Sequence, residues 1–276
     1  MPDPIEPNAA SRKDGSAPQE SAPAAAANPL ILVPMTADDD ARKRRRTKLI
    51  WVLAVLAMVG ATAYLYRRSQ TPRLSQEAFE AGQRLFAVAR YPQAILSFDR
   101  AVALNPGFEE AYLMRGRSHS AQYENDQALA DFTRAIELSP RDTRPLLQRS
   151  SAYFLDKKFD LAVADASAAI AADPKLASAY NLRGMALREQ GKLTEALADL
   201  NQAVALAPNP DNYFQRGATF QLLGEYRPAI ADFTSTIEFQ PDVAHGYFAR
   251  AECERALGDA EAAKKDHQKG RILDGR

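Results

Sequence analysis

The chain has 276 residues, and its 35 Lys and Arg balance 35 Asp and Glu, so the formal net charge is zero. That balance gives no electrostatic case for nucleic acid as a partner. One cysteine, Cys253, excludes an internal disulfide framework, and a 46% hydrophobic content leaves ample material for a packed core.

Residues 1–41 are rich in Pro, Ala and Ser, with a run from Ala24 to Ala27, and are poor in aromatic residues. Such a segment buries too little apolar surface to offset its ordering entropy, so a disordered tail is expected. Within it Leu30-Ile31-Leu32-Val33, bracketed by Pro29 and Pro34, is the one stretch suited to docking as a strand on a partner. Residues 42–48 form a basic flank: Arg42, Lys43, Arg44, Arg45, Arg46 and Lys48. They would also attract anionic lipid head groups.

Leu49–Tyr66 is an uncharged apolar run that as a helix would be roughly 27 Å long, enough to cross a bilayer core. Trp51, Tyr64 and Tyr66 lie near its ends, where amphipathic rings favour the interface. Arg67, Arg68 and Arg73 follow in a linker, 67–73, and are fewer than the basic residues before the run. The heavier flank stays in the cytoplasm, which predicts a single-pass bacterial inner-membrane protein with a cytoplasmic N-terminus and a periplasmic domain. Ala61-Thr62-Ala63 has the small-x-small form of a signal cleavage site. A leader of 48 residues before the run is longer than such signals allow, so an uncleaved anchor is the preferred reading. A start at Met35 would instead leave a signal-like leader. Thr47-Lys48-Leu49 after the arginines does not fit a twin-arginine signal.

From residue 74 to 273 the chain is periodic. Pro106, Pro140, Pro174 and Pro208 stand 34 residues apart, and Pro241 follows 33 later. Five residues before each is a small one: Ala101, Ala135, Ala169, Ala203 and Thr236. Seven before those lie Ala94, Ala128, Ala162, Ala196 and Ala229. Between the two small residues sit Phe98, Phe132, Leu200 and Phe233, with Ala166 the exception. Upstream recur Gly82, Gly116, Ser150, Gly184 and Gly217, each four residues after Ala78, Tyr112, Leu146, Tyr180 or Tyr213. Small residues let helices approach closely, and large apolar ones fill the space that remains. Each Pro suits a position just after a helix, and Gly191, Gly224 and Gly258 fall between predicted helices, where positive φ is cheap for Gly.

This order resembles the tetratricopeptide repeat, a helix–turn–helix unit of Gly, Ala, a large apolar residue and a closing Pro. The resemblance implies an all-α fold: a right-handed α-solenoid of about six units, preceded by the tail and the transmembrane helix. The units fall at about 75–108, 109–142, 143–176, 177–209, 210–243 and 244–273. In the sixth, His267 replaces the large apolar residue, Gly270 replaces a small one and no Pro follows, in keeping with a polar terminal cap.

A second series accompanies the first. Arg115, Arg149, Arg183, Arg216 and Arg250 are each followed sixteen residues later by Asp131, Asp165, Asp199, Asp232 and Asp266. Unit one lacks both, with Ala81 and Ser97 in those places. Joint presence and joint absence point to contact, and a guanidinium fork matches a carboxylate bidentately. A structural ion-pair ladder is expected in preference to a basic stripe for an anionic ligand, since the carboxylates neutralise the arginines.

In the resembled family the first helix of each unit lines the concave face and partners lie along it as peptides. Carried over, the groove candidates are Phe79, Gln83, Phe86, Leu113, Arg117, Leu147, Ser151 and Phe154, followed by Asn181, Met185, Arg188, Phe214, Gln221, Phe248, Glu252 and Arg255. Packing between units is the competing reading for the Phe residues. Some members clamp a chaperone's C-terminal carboxylate with Lys and Asn; only Asn181 sits comparably here. His119, His245 and His267 have no metal-like spacing, and no phosphate loop, nucleophile elbow or paired carboxylates appear. The reading is a non-enzymatic scaffold without cofactor or metal, anchored through Leu49–Tyr66, that binds protein or peptide partners in assembly of an envelope complex. Six units leave room for several partners or for self-association. An organelle receptor with cytosolic repeats is the alternative.

Overall fold

The computed structural model describes residues 37–275. All its elements are helices: α1 (Ala37–Ala87), α2 (Tyr91–Leu104), α3 (Glu109–Ala121), α4 (Asn125–Leu138), α5 (Thr143–Leu155), α6 (Phe159–Ala172), α7 (Ala177–Glu189), α8 (Leu193–Leu206), α9 (Pro210–Leu222), α10 (Tyr226–Phe239), α11 (Ala244–Ala256) and α12 (Ala260–Leu273). The chain divides after Thr62 into two compact units.

In the first unit the apolar part of α1 is exposed. Leu49, Ile50, Trp51, Val52, Leu53, Leu56 and Met58 are all more than half exposed. Among the described residues this is the one helix long and apolar enough to cross a membrane. Residues 37–41, assigned to the tail by composition, are helical, and Asp38, Asp39 and Asp40 lie in the first turn, where carboxylates oppose the positive end of the helix dipole. The rest of that tail, with Leu30–Val33, lies outside the described residues.

In the second unit residues 67–73, expected as a linker, are also helical and contain Pro72. A proline inside a helix orphans the carbonyl four residues back. Here that carbonyl, of Arg68, accepts a 2.8 Å hydrogen bond from the Thr71 hydroxyl. The local repair lets the helix run on to Ala87.

The repeats follow as pairs of 13- and 14-residue helices from α3 to α12. Pro106, Pro140, Pro174, Pro208 and Pro241 each stand two residues past a second helix. The residue before each has left the α region, with φ between −133° and −146° and ψ between 71° and 98° at Asn105, Ser139, Asp173, Ala207 and Gln240. A following proline favours that departure. The turn inside each unit has its own requirement, a residue at positive φ after the first helix. Ala89, Tyr123 and Lys157 fill it in units one to three, and Gly191, Gly224 and Gly258 in units four to six.

Each unit is closed at one crossing point. A Cβ added to Gly116 would lie 2.7 Å from the Phe132 ring, and one on Gly217 would lie 2.9 Å from Phe233. Gly82 faces Phe98 and Gly184 faces Leu200 in the same way. Unit three carries Ser150 instead, and the facing residue is Ala166, fully buried. The Ser150 hydroxyl uses the vacated volume to donate to the Ala162 carbonyl at 2.8 Å. In unit six the two sizes change helices, with Gly270 on α12 receiving the Phe248 ring of α11.

Successive first helices touch one another: α3 with α5, α5 with α7, α7 with α9 and α9 with α11. Successive second helices from α4 to α12 do not. The first helices therefore lie on the inside of the curve, and the array is an α-solenoid with a concave face.

Two measurements follow from this packing. Ala166→Phe is expected to cost roughly 1–3 kcal/mol by overpacking, and Ser150→Gly added to it should recover most of the loss. Urea denaturation compares the variants; equal stability of the single and double variants would disprove the size pairing. Tyr123→Gly should stabilise by about 1 kcal/mol, because the left-handed conformation is costly for a residue with a Cβ. Gly224→Ala, at the same place in unit five, should shift the thermal midpoint the opposite way, and shifts of one sign for both would refute the strain.

Candidate partner-binding surface and its ion-pair ladder

The close crossing brings a second pair of residues together. Arg183 Nε and Nη2 each donate to one oxygen of Asp199 at 2.7 Å. Arg115 grips Asp131, Arg149 grips Asp165, Arg216 grips Asp232 and Arg250 grips Asp266 in the same bidentate way. All five aspartates are buried. The hydrogen bonds and the carboxylate charge raise the pKa of each arginine further above its ordinary value, against the opposing effect of burial. These pairs lie within units, between first and second helix.

The third nitrogen of each arginine reaches the preceding unit. Nη1 donates to Asp99 Oδ1 from Arg115, to Thr133 Oγ1 from Arg149 and to Ser167 Oγ from Arg183. From Arg216 it donates to Asn201 Oδ1, and from Arg250 to Thr234 Oγ1. Each guanidinium thus joins three helices. An aromatic ring lies against every one: Tyr112, Tyr153, Tyr180, Tyr213 and Tyr247 stand 5.3–5.9 Å from the respective guanidinium carbons. Sequence reading missed these acceptors, although the period carries the signal. All five have a side-chain oxygen at one phase, but of four residue types, so no single identity runs through the series.

The groove candidates divide by position. Phe79 and Leu113 are buried core residues, Phe79 against the Phe98 and Phe108 rings at 5.7 and 4.8 Å. Leu147 and Phe214, at the same phase, pack against neighbouring units. Phe248 is taken up by Gly270 and by His267, 5.4 Å away. Asn181 donates to Asn212 Oδ1 at 2.6 Å, which occupies the one residue placed like a carboxylate clamp. This phase faces the next unit because a first helix must touch its successor as well as its own partner helix.

The other candidates remain accessible in part or in full. Gln83, Arg117, Glu252 and Arg255 are exposed, and Phe86, Ser151, Phe154, Met185, Arg188 and Gln221 are half-buried. The Arg117 guanidinium sits 5.1 Å from the Phe86 ring centre, and Phe154 lies 5.6 Å from Phe159. Arg188 Nη1 donates to Gln215 Oε1 at 2.9 Å, and Arg255 pairs with Glu252 at 3.0 Å. Arg188, Gln221 and Glu252 share one open concavity of about 610 Å³ with Leu222 and Tyr226. It crosses three consecutive first helices.

No group of side chains able to hold a metal occurs among the described residues. His119 Nδ1 lies 2.6 Å from Glu124 Oε2, and His245 packs edge-on against Phe214. Cys253 is fully buried, and burial together with Glu252 and Glu254 pushes its thiol up to about 11, which favours the neutral thiol over the thiolate.

Stacked helix pairs with an open concave face define an α-solenoid repeat protein, a class that works through that face. Two stretches, residues 79–143 and 177–210, match the tetratricopeptide repeat. The chain carries tetratricopeptide repeats in both stretches, the repeat of the tetratricopeptide repeat family. It is 39% identical over 70 residues to the Hsp70-Hsp90 organizing protein of Triticum aestivum, a match that spans 25% of this chain and 12% of that protein. Among solved structures, PilW, described as a widely conserved type IV pilus biogenesis factor, is 22% identical with a TM-score of 0.65, over 72% of this chain and 93% of its own. PilF of Pseudomonas aeruginosa is 14% identical with a TM-score of 0.65, over 74% and 93%. At those identities the likeness is one of fold. Proteins of this family mediate protein–protein interactions and typically do so without catalysis.

The ladder carries an expectation for stability. Asp199→Ala leaves the Arg183 guanidinium partly buried and unpaired and should cost about 3 kcal/mol. Ser167→Ala, which removes only the link to the preceding unit, should cost about 1 kcal/mol. An unchanged melting temperature for Asp199→Ala would remove the pair from any account of stability.

Proposed function

We propose that the chain is a single-pass membrane-anchored scaffold that holds protein or peptide partners on the concave face of its repeats during assembly of an envelope complex. The carrying observation is the concavity shared by Arg188, Gln221 and Glu252, which runs across units four to six. A surface continuous over three helices suits an extended chain or a helix with mixed apolar and polar anchors. Leu222, 62% exposed, and half-buried Tyr226 supply the apolar part.

The anchor is Leu49–Tyr66, and the proposed orientation rests on the heavier basic flank before it, Arg42 to Lys48. The repeats then lie in a bacterial periplasm. The similarity to a chaperone-organizing protein supports a protein partner, while the occupied Asn181 does not favour a chaperone tail.

Protease protection of the full chain with a C-terminal tag tests the topology. The expected result is a full-length product, protected in intact cells and cleaved once the outer envelope is opened. Cleavage only after lysis of the inner membrane would put the repeats in the cytosol and favour the receptor alternative. A tagged product beginning near Tyr64 would show that the segment is a cleaved signal instead of an anchor.

A further inference from the structure

Helix α12, the last of the described helices, departs from the stripe that each earlier second helix buries. In α10 the corresponding residues are Ile230, Phe233 and Ile237. Ile230 and Phe233 pack with Cys253 and Ala249 of the next unit, and Ile237 meets α11 at Gly246. In α12, 34 residues on, the same three places hold Lys264, His267 and Arg271. A terminal face needs polar residues for solubility, but it does not need them to be of one sign.

Here the signs are segregated. Lys264, His267, Gln268 and Arg271 of α12, joined by Arg255 of α11, surround an open concavity of about 830 Å³. No residue lining it carries a carboxylate. The carboxylate of Asp266 on the same helix is turned inward to Arg250. Among the described residues, no carboxylate pairs with Lys264 or Arg271. Ile272, 65% exposed, and Ala263 give the concavity an apolar side. The adjoining face of α12 differs, since Glu254 and Asp266 stand there among Lys265 and Lys269.

We propose that this end face is a docking site for an acidic protein segment, one with carboxylates spaced beside an apolar residue. Carboxylates would meet Lys264 and Arg271, and an apolar side chain would cover Ile272, while Arg255 at the rim is already paired with Glu252. Apart from Arg255, which is also a groove candidate, the site lies off the concave face, and it is independent of which side of the membrane holds the repeats.

The test uses the full chain in neutral detergent and a fluorescein-labelled peptide of alternating glutamate and leucine, with a glutamine–leucine peptide as control. Fluorescence anisotropy should show preference for the glutamate peptide. Lys264→Glu with Arg271→Glu should weaken that binding about tenfold or more, because like charges then face each other. Lys265→Glu with Lys269→Glu, the same charge change on the adjoining face, should alter it by less than about twofold. All four side chains are exposed, so both variants should melt like the wild type. Equal losses in the two variants, or equal binding of the glutamine peptide, would overturn the proposal. So would displacement of the peptide by phosphatidylglycerol vesicles but not by phosphatidylcholine vesicles, which would assign the face to lipid.

Discussion

Each unit depends on one crossing, and in units two and five an Arg-Gly pair of the first helix lies there over an Asp-Phe pair of the second. Arg115-Gly116 meets Asp131-Phe132, and Arg216-Gly217 meets Asp232-Phe233. The missing Cβ brings the backbones together, the ring fills the gap, and the same approach puts the guanidinium within reach of the carboxylate. Neither half is sufficient by itself. Without the close approach a bidentate pair would not form between these helices, and without the pair the aspartate would be a buried charge with no compensation. The third guanidinium nitrogen then carries the geometry of one unit to the one before it.

This coupling explains why the fold was legible from period alone. Gly, Ala, Phe and Pro recur because each answers a steric demand that is the same in every unit. The Arg and Asp positions could be matched because a bidentate pair tolerates no substitute on either side. What escaped was of two kinds. The acceptors Asp99, Thr133, Ser167, Asn201 and Thr234 need only offer an oxygen, so identity drifts while function stays. The turn residues Ala89, Tyr123 and Lys157 hold positive φ without being Gly, because neighbouring helices impose the conformation and absorb its cost.

The partner surface was less legible for a different reason. A residue on a first helix has two neighbours to satisfy, its own second helix and the following unit. Periodicity reports that a position is apolar but not which neighbour covers it. Phe79 and Phe86 are seven residues apart, about two turns along the same helix, yet Phe79 is core and Phe86 reaches the side where Arg117 stands over it. Continuity of α1 through residues 67–73 was hidden by Pro72, whose usual penalty a single threonine hydroxyl offsets.

The loop between α8 and α9 is one residue shorter than its counterparts, and the ladder crosses it intact. Arg216 reaches Asn201 over 15 residues where other junctions take 16. The joint between units is therefore made by facing surfaces and not by the length of the connecting chain. A lineage of such arrays can lose or duplicate a unit at any of these loops without redesigning its neighbours. Array length is then inherited as a count of interchangeable parts, and partner choice can evolve by changing that count as readily as by changing side chains.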